Sequence, residues 1–160
     1  MATVLAFDVS LTRTGITSAG DCGYRHSTIV TLASEPLPAR LRRLCDGAFN
    51  AVGHWGCAFD LVLVEIPGFA GGHSAPGLDM AIGAVLAGLP SGLRVETVSV
   101  STWRSGLGLK YPRGAGKGPS IAFAQSLGID LPHLTARSAK VDDNVAEAFC
   151  IAEWGLRFRC

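Results

Sequence analysis

Thr3-Val4-Leu5-Ala6-Phe7-Asp8-Val9-Ser10 is an apolar run interrupted by one aspartate. Successive side chains of a strand point to opposite faces, so Val4, Ala6 and Asp8 share one side. Leu5, Phe7 and Val9 share the other. Both sides are apolar, which marks a strand covered on both faces in the middle of a sheet. A carboxylate there is costly unless something pairs with it or binds it. A second such run is Asp60-Leu61-Val62-Leu63-Val64-Glu65-Ile66, again with an acid at its C-terminal end. Leu61, Leu63 and Glu65 share a face; Val62, Val64 and Ile66 share the other. Between the two runs, Leu37 to Trp55 carries Leu41, Leu44, Cys45, Ala48, Phe49 and Val52 at helical spacing. A helix joining two buried strands implies a parallel crossover, which brings both carboxyl ends to one edge of the sheet. Open α/β sheets put their sites at that edge.

The remaining segments read outward from this unit. Leu11 to Ala19 and Tyr24 to Leu32 are predicted strands separated by the turn signal Gly20-Asp21-Cys22-Gly23, making an antiparallel meander with the first. Arg40, Arg42 and Arg43 are expected on the solvated face of the first helix. Pro67 to Gly77 is a glycine-rich loop leaving the second acidic strand. Leu78 to Leu89 is a predicted helix with small residues at Ala81, Gly83, Ala84, Ala87 and Gly88, suited to packing on the sheet or to a homodimer seam. Arg94 to Val100 is a further strand, and Ser101-Thr102-Trp103-Arg104 a capped turn or short helix. Ser120 to Leu127 and a final segment from near Asp142 to Leu156 are helices.

At 160 residues the chain is long enough for one domain with a substantial core, expected over 1–160. Fourteen basic and thirteen acidic residues leave a net charge of +1, so only the local charge distribution speaks to a partner. Cys22, Cys45, Cys57, Cys150 and Cys160 are odd in number and lack CxxC spacing. That argues against a disulfide framework and a zinc cluster, and for reduced thiols in a cytoplasmic protein. No secretory leader and no apolar stretch of membrane-spanning length is present, so no membrane partner is expected.

The last helix holds the other acids. Asp143 and Glu147 are four apart and share a face that continues with Cys150, Ile151 and Trp154. Val145, Phe149, Ala152 and Leu156 form the opposite side. Asp142 and Asp143 also suit a helix N-terminus as caps or dipole partners. Glu147 lies a turn further in, where that account does not reach. Like charges at this spacing repel, and a bound cation would reverse the penalty. Clustered carboxylates without His or Cys favour a hard cation, Mg²⁺ with Mn²⁺ as substitute. Such a site can hold two ions and drive in-line displacement at a phosphodiester.

The ordered set FDVSLTRTGI (7–16), LVLVEIPGF (61–69), VSVSTWRSGLG (98–108) and DDNVAEAFCIA (142–152) resembles the RuvC-type Holliday junction resolvases of the RNase H-like superfamily. The likeness runs over nearly the whole chain. It implies an α/β RNase H-like fold, a mixed five-stranded sheet of an antiparallel meander plus parallel strands, flanked by helices. It implies a homodimer that binds branched DNA, a four-way junction, and makes paired nicks with two Mg²⁺ ions. By position, Asp8, Glu65, Asp143 and Glu147 match the family's metal-binding acids, with Asp142 the alternative to Asp143. Glu147 stands where the bacterial enzymes usually have Asp. Lys117 matches a basic residue near the scissile phosphate. Phe69 lies in the loop where such enzymes carry an aromatic that probes the junction centre. The resemblance also implies cytoplasm, or an organelle matrix, as the place of action.

Between Ser101 and Val141 the basic residues are Arg104, Lys110, Arg113, Lys117, Arg137 and Lys140, against the single acid Asp130. With glycines at 106, 108, 114, 116 and 118, this stretch is suited to track a phosphate backbone. Arg104, Lys110, Arg113 and Lys117, with Phe69 and His73, are therefore the expected DNA contacts. Tyr111 and Gly118 break the P-loop pattern, and no GxSxG elbow is present. Two rival readings share the fold: a YqgF-like RNA-processing nuclease, and a non-catalytic junction-binding protein. Glu65 weighs against the first. Four intact acids weigh against the second.

Overall fold

Among the residues described by the computed structural model, 2–67, 76–135 and 137–160, the elements follow the predicted order. They are β1 (Thr3–Asp8), β2 (Arg13–Gly20), β3 (Arg25–Val30), α1 (Leu37–His54), β4 (Leu61–Ile66), α2 (Pro76–Gly88), β5 (Val95–Ser99), α3 (Val100–Gly106), α4 (Gly118–Ser126) and α5 (Asp143–Phe158). Phe69 and His73 lie outside the described residues. The strands form one sheet in the order β3-β2-β1-β4-β5. β1–β2 and β2–β3 are antiparallel, whereas β1–β4 and β4–β5 are parallel.

All six residues of β1 are buried, as a central strand covered on both faces must be. Leu5 and Phe7 pack with Leu44 and Ala48 of α1 and with Ala81 and Val85 of α2. Val4 and Ala6, with Leu61 and Leu63 of β4, pack against Val145, Ala146 and Cys150 of α5 and against Trp103. Strand parity therefore decides which helix layer each acid meets. Asp8 continues the row of Val4 and Ala6, and Glu65 that of Leu61 and Leu63, so both belong to the α5 side. The β1–β4 register, Phe7 opposite Val64, brings the two acids level one step further on.

Several details depart from expectation. β2 begins at Arg13 and not Leu11, because the Ser10 hydroxyl accepts from the backbone N–H groups of Thr12 and Arg13 and holds a turn there. β3 is shorter than Tyr24 to Leu32; its ladder to β2 runs only from Arg25 to Val30. Arg40 does not point to solvent: it donates to the Thr31 hydroxyl at 3.1 Å and the Leu11 carbonyl at 2.9 Å, tethering that same turn. Ser99 is the cap of α3, accepting from the Thr102 N–H, so the helix starts before Ser101.

The cysteine expectation is overturned in part. Cys22, in the β2–β3 turn, and Cys57, in the α1–β4 connection, are joined by a disulfide across 35 residues. Folding brings both connections to one end of the sheet with their Cα atoms 6.2 Å apart. Cys45, Cys150 and Cys160 are free. Among the described residues no helix is long and apolar enough to cross a membrane.

Gly15 sets how closely α5 approaches the sheet. A Cβ there would stand 2.2 Å from the Asn144 carbonyl oxygen and 2.7 Å from the Val145 nitrogen. Both obstacles are backbone, so the first turn of α5 would have to move. Gly15→Ala is expected to cost about 1–3 kcal/mol in urea denaturation, the range for overpacking a close contact. Unchanged stability would show that α5 is not docked this tightly.

Candidate active site

The site is built where β1, β4, α3, the 107–117 segment and α5 meet. Asp8 is the last residue of β1 and is 4% exposed; Glu147, one turn into α5, is 2% exposed. Between them stands Lys117. Its ammonium is 2.7 Å from Asp8 Oδ2 and 2.7 Å from Glu147 Oε2. It also donates to Asn144 Oδ1 at 2.7 Å. Three oxygens thus use the three donors of one ammonium. The chain can aim Lys117 inward because Gly116 adopts φ 54°, a left-handed turn that glycine enters without steric cost.

Glu147 has a second partner, and Glu65 has one of its own. Arg104 of α3 donates to Glu147 Oε1 at 2.6 Å, with its guanidinium 3.7 Å from the Tyr111 ring centre. Glu65 Oε2 accepts from the indole N–H of Trp103 at 2.7 Å, and Trp103 is fully buried. Burial pushes the Asp8 carboxyl up from the ordinary carboxylate range. Lys117 opposes that rise, and the Glu147 and Asp143 charges add to it. Burial also lifts Glu65, with the charges of Asp8 and Glu147 adding and the Trp103 hydrogen bond subtracting. Burial works against the Lys117 charge, yet Asp8 and Glu147 outweigh it and hold the ammonium above its usual range. The three acids form one electrostatic unit whose negative charge a cation relieves.

Packing gives Asp142 and Asp143 different surroundings. Asp142 is 1% exposed and caps α5, accepting from the Asn144 and Val145 N–H groups through Oδ1. Its Oδ2 is taken by Arg13 at 2.7 Å and by the Thr28 hydroxyl at 3.0 Å. Asp142 is thereby fully used in holding the helix. Asp143 stands at the rim, its side chain 25% exposed, with Lys140 at 3.8 Å.

Of the expected DNA contacts, Lys110 and Arg113 are exposed, whereas Arg104 turns inward to Glu147. Asn144, Trp103 and Arg13 are contributors that sequence reasoning missed. Asn144 and Glu147 are three apart, the other neighbour relation of a helix, and that spacing could have flagged Asn144. A groove of about 620 Å³ between β3 and α1, lined by residues such as Thr28, Arg42 and Trp55, contains none of these acids.

Among the described residues no three His, Cys, Asp or Glu side chains converge as a ready-made metal-binding group. The donor chemistry nonetheless fits a hard cation: the inward groups are oxygens, and the Lys117 ammonium is a stand-in cation already held by three of them.

No family model and no curated protein sequence matches the chain. Solved structures do. A structure of Thermus thermophilus RuvC in complex with Holliday junction substrate matches at TM-score 0.71 and 20% identity, covering 99% of this chain and 97% of that one. A second Thermus thermophilus RuvC structure matches at TM-score 0.67 and 19% identity, covering 97% and 95%. The fold is therefore the RNase H-like fold of those structures, a mixed five-stranded sheet flanked by helices.

Proposed function

We propose that this chain, one nuclease domain over 1–160, is a divalent-metal-dependent endonuclease that resolves four-way DNA junctions. The observation that carries the reading is the Lys117 bridge between Asp8 and Glu147, with Glu65 in electrostatic reach of both acids, on a fold shared with a RuvC bound to Holliday junction substrate. Asp8, Glu65, Asp143 and Glu147 would hold two Mg²⁺ ions, with Mn²⁺ able to substitute. When bound, such ions activate water and neutralise charge on the leaving 3′ oxygen. Asp8 and Glu65 present their carboxylates from rigid strand ends, and α5 presents Glu147 from a capped helix. Lys117, adjoining these oxygens, offers positive charge to the scissile phosphate. Trp103 and Arg104 hold Glu65 and Glu147 in place.

Lys110, Arg113, Arg137 and Lys140 are exposed and would contact the phosphate backbone. About four such contacts predict that junction affinity falls about a hundredfold between about 50 and 200 mM salt, as counterion release requires. A flat response, measured by fluorescence anisotropy, removes the basic-segment reading. Paired nicking calls for a homodimer. Met80 and Leu86 of α2 are exposed apolar side chains suited to its seam, while Ala81, Ile82 and Val85 are spent on the core.

The test compares a four-way junction, a flap, a linear duplex and an RNA hybrid, each with Mg²⁺ and with EDTA. Paired nicks in the junction alone, abolished by EDTA, are expected. Equal cutting of linear duplex, or cutting in EDTA, rejects the reading.

A further inference from the structure

The carboxylate oxygens at the proposed site are not equally free. Asp8 Oδ2, Asn144 Oδ1 and Glu147 Oε2 all bond the one ammonium of Lys117, and Glu147 Oε1 bonds Arg104. Trp103 takes Glu65 Oε2. The second oxygens of Asp8 and Glu65 carry no such bond among the described residues. A cation bound through Asp8 and Glu65 can thus be accommodated beside Lys117. One bound through Asp8 Oδ2, Asn144 and Glu147 cannot, since it would take the ammonium's place between those oxygens and bring positive charge against positive charge. The Asn144 amide sharpens the point: a neutral oxygen completes a cage that suits an ammonium, with less negative charge than an acid would supply.

We infer that Lys117 is an internal counter-cation that blocks divalent metal from the Asp8–Asn144–Glu147 side of the site, so that full loading requires Lys117 to leave its cage. The inference rests on the metal-dependent nuclease reading above. It makes Lys117 a gate on metal occupancy as well as a phosphate contact. An incoming phosphate would be an alternative anion for the released ammonium, so substrate arrival and full loading are coupled.

The experiment is Mn²⁺ titration of DNA-free protein by isothermal calorimetry, in wild type, Lys117→Met and Arg43→Met. Arg43→Met removes one positive charge from the α1 surface, where Arg43 pairs with Glu35, and leaves the Lys117 cage and its surroundings intact. Lys117→Met is expected to bind Mn²⁺ about tenfold tighter than wild type or to gain a second ion, and Arg43→Met to change affinity by less than about threefold. Equal effects of the two variants, or no effect of Lys117→Met, overturn the gate and leave the metal site standing. Absence of Mn²⁺ binding in all three overturns the metal reading itself and the gate with it.

A second measurement needs no variant. Lysine acetylation of wild type, followed by mass spectrometry, is expected to modify Lys117 several-fold faster with saturating Mn²⁺ than without, while exposed Lys110 is unchanged. A Lys117 rate indifferent to Mn²⁺ overturns the gate.

Discussion

Asp8→Asn is expected to reduce Mg²⁺-dependent nicking of a four-way junction by about 10³-fold, the scale of losing one preorganised electrostatic partner of the transition state. Junction affinity should be retained or slightly raised, because a negative charge beside the DNA phosphates is removed. The substitution is close to isosteric and leaves Lys117 bonded to Glu147 and Asn144. It also removes a charge that is buried and is repelled by Glu147 and Asp143. The melting temperature should therefore equal or exceed that of wild type. Nicking rates, anisotropy and a thermal melt on one preparation separate the possibilities. Undiminished nicking would sink the assignment of Asp8 to the metal site. Lost nicking with a lowered melting temperature would make Asp8 structural.

The second large effect is at Trp103. Its side chain is fully buried beneath β4 and α5, and its N–H donates to Glu65. Trp103→Ala is expected to cost about 3–5 kcal/mol, the range for emptying a large aromatic site. Trp103→Phe keeps most of the apolar volume and deletes only the donor to a buried carboxylate. That variant should stay folded yet lose about 10–100-fold in nicking or metal affinity, as when an outer partner of a metal-binding carboxylate is removed. Urea denaturation with nicking at graded Mg²⁺ distinguishes the two. A Phe variant with wild-type Mg²⁺ dependence would reduce Trp103 to a core residue.

The resemblance seen in the sequence and the geometry reinforce each other unevenly. Two features of Asp8 and Glu65 were legible beforehand: their position at the ends of doubly buried strands, and the face each shares with its apolar neighbours. Strand alternation is local, so the residues alone carry it. The far partners were less legible. An Asp-Asp-Asn run offers three polar side chains at the start of one helix, and spacing by three or by four is equally a neighbour relation. Which of the three looks inward depends on where β2 touches the helix. The contact of Gly15 with the Asn144 and Val145 backbone, and the tie of Arg13 and Thr28 to Asp142, set that rotation. Asp142 was thereby consumed as a cap, Asn144 turned onto Lys117, and Asp143 left at the rim.

The basic segment shows the same division. Its excess of Lys and Arg was plain, and Lys110 and Arg113 are exposed. Arg104 and Lys117 are instead drawn in by Glu147 and Asp8, a choice that no count of charges contains. The Cys22–Cys57 bond was hidden for a related reason, since only the folded sheet brings those two connections to one end.

By itself, then, the sequence determined the strand-helix order, the burial of β1 and β4 on both faces, and the two acids at one sheet edge. These follow from short-range periodicity in the chain. Only the tertiary structure decided which polar residues of α5 enter the site, which cations neutralise it and which cysteines pair. Those depend on the rotation of one helix against a sheet and on contacts between residues far apart in sequence, which no local pattern encodes.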